Sequence, residues 1–310
     1  MKICHLNITS KCNQKCVFCA AELEGQGEKM TLPFDTTLEE ILRINGMNSG
    51  DKVVLSGGEP LLNPNIENCI RLLNDHQIKT VLFTNAVLLK DICRLKKLIE
   101  LGVYEIDVPL VAVTENEYAY MTQSDWWLSY IEAIRNLNIL RSEHNFRLGI
   151  KILLTRRLMK YSGSIVEFLK EKIDYADVIY LNGLIETDSA IRHDLIINYE
   201  KDADKVSDFI RELLERIDSK ILVESVPLCF IKREVILLYL LKMRKWTEQV
   251  QDMATVLQTE GVTNSLLLMK KTERSAEYIN CCTKTNCAYF KICKINSTLA
   301  TRLNINLCEH

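Results

Sequence analysis

Apolar residues along this chain follow two alternating rhythms. Runs at positions 3–8, 53–55, 78–83, 104–110, 146–154 and 177–181 have the length and composition of β-strands. Between them, apolar residues recur at the three- and four-residue spacing of an amphipathic helix. The stripes are Leu38, Ile41, Leu42 and Ile44; Ile66, Cys69, Ile70 and Leu73; residues 88–101; Ile131, Ile134 and Leu137; Ile165, Phe168 and Leu169; and Val206, Phe209, Ile210, Leu213 and Ile217. Thr36 or Thr37 is placed to cap the first helix. Six strand–helix pairs with short connections predict parallel strands joined by right-handed crossovers. The expected fold is α/β: a partial (β/α)6 TIM-like barrel over residues 1–218, left open because six pairs do not close a barrel. Chemistry in such folds gathers at the C-terminal ends of the strands.

Three predicted strand ends carry polar, chemically loaded loops. The first holds Cys12, Cys16 and Cys19, spaced by three and then two residues. Thiolates so placed can converge on a soft metal centre. A cubane cluster has four irons, so three cysteines leave one iron for a ligand from outside the protein; a zinc knuckle and unrelated buried thiols are the other readings of the same spacing. The second loop is Ser56, Gly57, Gly58, Glu59 and Pro60, and the third is Thr84 and Asn85.

Residues 219–310 change character. Ile221, Leu222 and Val223 predict a strand, Cys229 follows a Pro227 turn, and residues 231–257 are helical by composition. Cys281, Cys282, Cys287, Cys293 and Cys308 then crowd the C-terminus, more densely than core packing requires. A cysteine-rich C-terminal domain of small size is expected there.

Composition narrows the partners. The chain has 310 residues, 47% hydrophobic and 26% charged, with a net charge of −2, which lacks the basic excess of a nucleic-acid binder. No apolar run is long enough to span a bilayer and no signal peptide opens the chain, so a cytoplasmic protein without membrane or nucleic-acid partners is expected. Twelve cysteines in a reducing compartment point to metal ligation rather than disulfides. His5, His76, His144, His193 and His310 form no metal spacing, and Cys4, Cys69 and Cys93 are expected as core thiols. Tyr118, Tyr120, Trp126 and Trp127 are read as packing.

With the cysteine loop, the Gly-Gly-Glu run and the alternating units in place, the chain resembles the radical S-adenosylmethionine enzymes. The resemblance implies a [4Fe–4S] cluster on Cys12, Cys16 and Cys19, with S-adenosylmethionine on the open iron and Phe18 near its adenine. It also implies that Gly57 and Gly58 let the cofactor approach the backbone, and that Glu59 offers a carboxylate to its amino group. Thr84 and Asn85 match further polar contacts, and residues 151–155 lie where the family contacts the ribose. Residues 219–310 resemble the SPASM and twitch domains, which hold an auxiliary [4Fe–4S] cluster. The resemblance assigns its ligands to Cys229, Cys287 and Cys293 with Cys281 or Cys282, of which Cys282 is the chosen one. Cys308 is open between a fourth ligand, a hydrogen donor and a stray thiol.

The chemistry so implied is reductive cleavage to a 5′-deoxyadenosyl radical, fed by a reductant such as flavodoxin or ferredoxin. The expected substrate is a ribosomally made peptide, crosslinked, epimerised or otherwise modified. The chain opens directly on its first strand, so either a separate leader-binding protein or leader-independent recognition is expected. The alternatives are a radical dehydrogenase or mutase acting on a sugar, nucleoside or amino acid, an activator of a sulfatase or radical enzyme, and an iron–sulfur electron carrier.

Overall fold

The computed structural model describes residues 2–20, 35–173, 175–248, 278–280 and 294–296. Seven parallel strands form one sheet in sequence order: β1 Ile3–Thr9, β2 Lys52–Gly57, β3 Lys79–Phe83, β4 Val103–Leu110, β5 Arg147–Leu154, β6 Val178–Gly183 and β7 Lys220–Glu224. The sheet is open, with β1 and β7 at its edges. The crossovers carry α1 Asp35–Ile44, α2 Ile66–Asp75, α3 Ile92–Glu100, α4 Glu115–Thr122, α5 Trp127–Glu143, α6 Ser162–Lys172, α7 Asp188–Arg192 and α8 Tyr199–Arg216. Helix α9, Arg233–Glu248, follows β7, and Tyr278–Asn280 (β8) pairs antiparallel with Lys294–Asn296 (β9). Among the described residues, no helix is long and apolar enough to cross a membrane.

Alternation along the strands separates two faces. Leu6, Ile8, Leu55, Leu82, Ile106, Val108, Ile150, Ile152, Leu181 and Ile221 are buried in one apolar core with helix residues such as Leu73, Leu98, Leu137 and Leu213. This core is the stable base on which the strand-end loops stand. The strand at residues 220–224, read from sequence as opening the C-terminal segment, pairs with β6 in register from Lys220 opposite Val178 to Glu224 opposite Asn182. It is therefore the seventh strand of the same sheet. Residues 88–101, read as one helix, are a 3-10 turn, Val87–Lys90, followed by α3. Asp91 separates them by capping α3, its carboxylate accepting from the backbone N–H groups of Cys93 and Arg94.

The other strand face is polar. Glu105 accepts from Lys52 (3.1 Å), Arg147 (3.2 Å) and the Tyr180 hydroxyl (3.1 Å). Burial raises its pKa, but Lys52 and Arg147 outweigh burial and hold the carboxyl below its ordinary range. One layer further on, Lys151 Nζ pairs with Asp107 at 3.1 Å and lies 3.9 Å from the centroid of the Tyr180 ring. Burial would lower the pKa of Lys151; Asp107, Glu224 and Glu105 outweigh it, so the ammonium is retained. Gly149 faces Asp107 across the β4–β5 pair, and a Cβ there would stand 2.0 Å from Asp107 Oδ1.

Two glycines therefore respond oppositely to the same change. Gly149→Ala should lower stability by about 1–3 kcal/mol, because the carboxylate must leave its pair with Lys151. Gly163→Ala, in α6 with nothing within 4 Å of the new methyl, should raise stability by about 0.4–1 kcal/mol. Denaturant unfolding of both variants checks the contrast.

Candidate cofactor site

The first strand delivers the cysteine loop to the rim of the sheet, where the second strand clamps it. Gly58 N donates to Thr9 O and Glu59 N donates to Lys11 O, both at 2.7 Å. Gly57 has φ +128°, and a Cβ on it would lie 2.3 Å from Thr9 O; a Cβ on Gly58 would lie 2.3 Å from Lys11 O. Both positions require glycine. The space left by the absent side chains is filled here by the backbone leading into the cysteine loop, so the glycines seat that loop. Beyond the clamp, Cys19 N donates to Cys16 O (3.1 Å) and Gln14 N donates to Cys12 Sγ (3.4 Å). Cys12 is exposed, and Cys16 and Cys19 are half-buried.

Glu59 is fully buried, and its carboxylate is occupied internally. Oε1 accepts from Leu61 N (3.0 Å) and the Thr84 hydroxyl (2.7 Å), while Oε2 accepts from Asn85 N (2.8 Å). Burial pushes its pKa up, against the donors from Thr84, Asn85 and Leu61. Glu59 thus ties the end of β2 to the end of β3. Thr84 is buried as well, its oxygen accepting from Ala86 N at 3.1 Å. Asn85 is the member of that pair facing the cysteine loop: its Nδ2 donates to Asn13 Oδ1 (2.7 Å) and stands 3.9 Å from Cys12 Sγ. Phe18 is half-buried against the core.

A fourth element completes the rim. Helix α4 ends against the loop, where Lys15 N donates to Thr122 O and Val17 N to Met121 O, both at 3.0 Å. Gln14 Nε2 donates to the Tyr118 hydroxyl at 2.8 Å. Asn13, Gln14, Tyr118, Met121 and Thr122 were absent from the site read in the sequence. The available signal was Thr114 followed three residues later by Glu117, the spacing of a helix start; Thr114 Oγ1 accepts from Glu117 N. Tyr118 packs with Trp127 and Tyr130 at ring separations of 5.5 and 5.3 Å, in keeping with the packing reading.

The rim opens onto the polar face of the sheet. Asn7 and Ser56 share a hydrogen bond (3.0 Å), and Asn182 Nδ2 donates to Glu224 (2.8 Å) while its Oδ1 is buried without a partner. Of residues 151–155, Lys151 joins this face through Asp107, whereas Thr155 is buried and caps the next turn by accepting from Leu158 N. Cys4 and Cys69 are buried as expected, but Cys93 is exposed because it falls in the solvent-facing first turn of α3. Cys229 is exposed at the 3-10 turn Leu228–Phe230 after β7. Cys281, Cys282, Cys287, Cys293 and Cys308 lie outside the described residues.

The donor set suits an iron–sulfur cluster. Three thiols share one clamped loop, and burial, followed by the nearby Cys19 and Cys12, raises the pKa of Cys16. Among the described residues, no three His, Cys, Asp or Glu side chains converge as the ligands of a single ion must. Cubane ligands bind separate irons and need not do so.

Comparison with known proteins agrees with this geometry. Residues 6–151 match the model of the Radical SAM superfamily. A protein of Methanocaldococcus jannaschii, provisionally assigned as a glycyl-radical enzyme activating enzyme, is 30% identical over 161 residues, 50% of this chain and 60% of that protein. The GTP 3′,8-cyclase of Helicobacter pylori is 28% identical over 175 residues, 55% of this chain and 50% of that enzyme. The chain thus spans half to three-fifths of these relatives. Among solved structures, Streptococcus suis SuiB bound to precursor peptide SuiA has a TM-score of 0.55 at 19% identity, over 72% of this chain and 48% of its own. The likeness is one of fold.

His5 supplies a pH test of the polar face beside this rim. It is open to solvent yet hemmed in by protein, and burial together with the charge of Lys151 lowers its pKa to about 4. A histidine with a depressed folded-state pKa destabilises the fold as pH drops below its unfolded value of about 6.5. The stability of the wild type relative to His5→Phe should therefore fall between pH 6.5 and about 4 and stay level above pH 7, as followed by melting across that range.

Proposed function

We propose that this chain is a radical S-adenosylmethionine enzyme that abstracts hydrogen from a ribosomally made peptide. The observation that carries the reading is the clamped rim. Within the matched radical SAM span, Cys12, Cys16 and Cys19 sit on a loop that Gly57 and Gly58 hold at backbone distance. The three cysteines would hold the [4Fe–4S] cluster, with S-adenosylmethionine on its open iron; bound together they supply one electron and a 5′-deoxyadenosyl radical. Glu59 and Thr84 keep the strand ends aligned, Asn85 steadies the loop through Asn13, and Phe18 borders the adenine. The polar face around Lys151, Asp107 and Asn182 receives the substrate. The residues beyond β7, 225–310, act as an auxiliary domain of SPASM or twitch type, with Cys229, Cys282, Cys287 and Cys293 holding a second [4Fe–4S] cluster. Cys308 serves as an alternative ligand or as a hydrogen donor.

The peptide reading is supported by the fold likeness to SuiB, whose structure holds a precursor peptide. A flavodoxin- or ferredoxin-like reductant completes the system. A second reading, a small-molecule enzyme, is favoured by the identity to GTP 3′,8-cyclases. Anaerobically reconstituted enzyme with reductant should form 5′-deoxyadenosine, and should change the mass of a precursor peptide encoded beside its gene. Deoxyadenosine without any peptide mass change would turn the assignment to the small-molecule reading, and no cleavage at all would leave an electron carrier. The Cys12→Ala, Cys16→Ala, Cys19→Ala triple variant should lose cleavage while keeping about four irons per chain in the C-terminal cluster. Iron analysis checks that count.

A further inference from the structure

Gln14 lies inside the cysteine loop and touches two of its sulfurs. Its backbone N–H donates to Cys12 Sγ (3.4 Å), its side-chain Oε1 accepts from the Cys16 thiol (3.5 Å), and its Nε2 donates to the Tyr118 hydroxyl (2.8 Å). Tyr118 is only 2% exposed and packed between Trp127 and Tyr130, so it cannot follow a moving partner. On either side of Cys16, the bonds from Lys15 N and Val17 N to the end of α4 pin the loop to the same helix that carries Tyr118.

This arrangement suits the free thiol, and one change in it suits the ligand form. A cysteine binds iron as its thiolate, which has lost the hydrogen that Gln14 Oε1 accepts here. A carbonyl oxygen left facing that sulfur would set lone pairs against negative charge. The two ends of a primary amide are nearly the same shape, one accepting and one donating. Turning the amide over puts Nε2–H on the sulfur and Oε1 toward Tyr118, whose hydroxyl donates as readily as it accepts. Two hydrogen bonds exist before and two after, and no buried polar atom is orphaned.

We propose that Gln14, held by Tyr118, is a positioning residue that donates a side-chain N–H to the Cys16 sulfur once the cluster is bound, and so raises the cluster's reduction potential. The inference rests on the cluster reading above. Hydrogen bonds to ligand sulfurs are a recognised lever on iron–sulfur potentials, because they stabilise the more negative reduced state.

The test uses the full-length, anaerobically reconstituted chain carrying the Cys282→Ala, Cys287→Ala and Cys293→Ala changes, so that the loop cluster is read alone. Gln14→Leu on this background should lower the potential by about 59 mV, a tenfold change in the one-electron equilibrium. Tyr118→Phe should shift it the same way by less, since the amide keeps its donor but loses its anchor. In protein labelled with 15N in glutamine side chains, pulsed EPR of the reduced cluster should show a 15N coupling that Gln14→Leu removes. Wild-type potentials in both variants, or no 15N coupling in the parent, would overturn the inference. Should Gln14→Leu fail to load iron, Tyr118→Phe and the coupling in the parent decide alone. A parent chain that takes up no iron at the loop would instead overturn the cluster reading itself.

Discussion

The contact on which the rest depends is the close approach of two backbones at the rim of the sheet. Gly57 and Gly58 bring the end of β2 against Thr9 and Lys11 so tightly that no Cβ fits between them, and two 2.7 Å hydrogen bonds hold them there. Everything the cysteine loop does follows from this fixed base. With its start anchored, the loop is held further by Asn85 at Asn13 and by the end of α4 at Lys15 and Val17. Glu59 links two of these supports, since its buried carboxylate joins the ends of β2 and β3 through Thr84 and Asn85.

The polar face of the sheet is the counterpart of this rim. A parallel sheet covered by helices on one side buries an apolar face there, and its other face is left to be filled by side chains, ligand or water. In this chain that face holds ion pairs graded along the strands, from Glu105 with Lys52 and Arg147 to Asp107 with Lys151. Charges so placed would be costly without partners. Their pairing leaves that face polar with its charges matched. The rim that carries the cysteine loop and this polar face belong to the same set of strands.

How much of this was legible in the sequence depends on how local each feature is. The hydrophobic rhythm determined the α/β class, six of the seven strands of the main sheet and six of the eight crossover helices, because burial of an apolar stripe is a property of a short stretch read by itself. The cysteine spacing, the Gly-Gly-Glu run and the Thr84-Asn85 pair likewise marked three loops at three strand ends. Other features were settled by pairing across the chain. That residues 220–224 form the seventh strand depends on their register with β6, and that Glu59 acts as an internal strut depends on Thr84 and Asn85, some 25 residues away. Tyr118 reaches Gln14 across 104 residues, and the end of α4 binds the cysteine loop through backbone atoms that carry no side-chain signature. The sequence by itself determined which residues have the chemistry. Only the tertiary structure decided which of them face the loop and which are spent holding it, because that choice is made by distances between strand ends that no local pattern encodes.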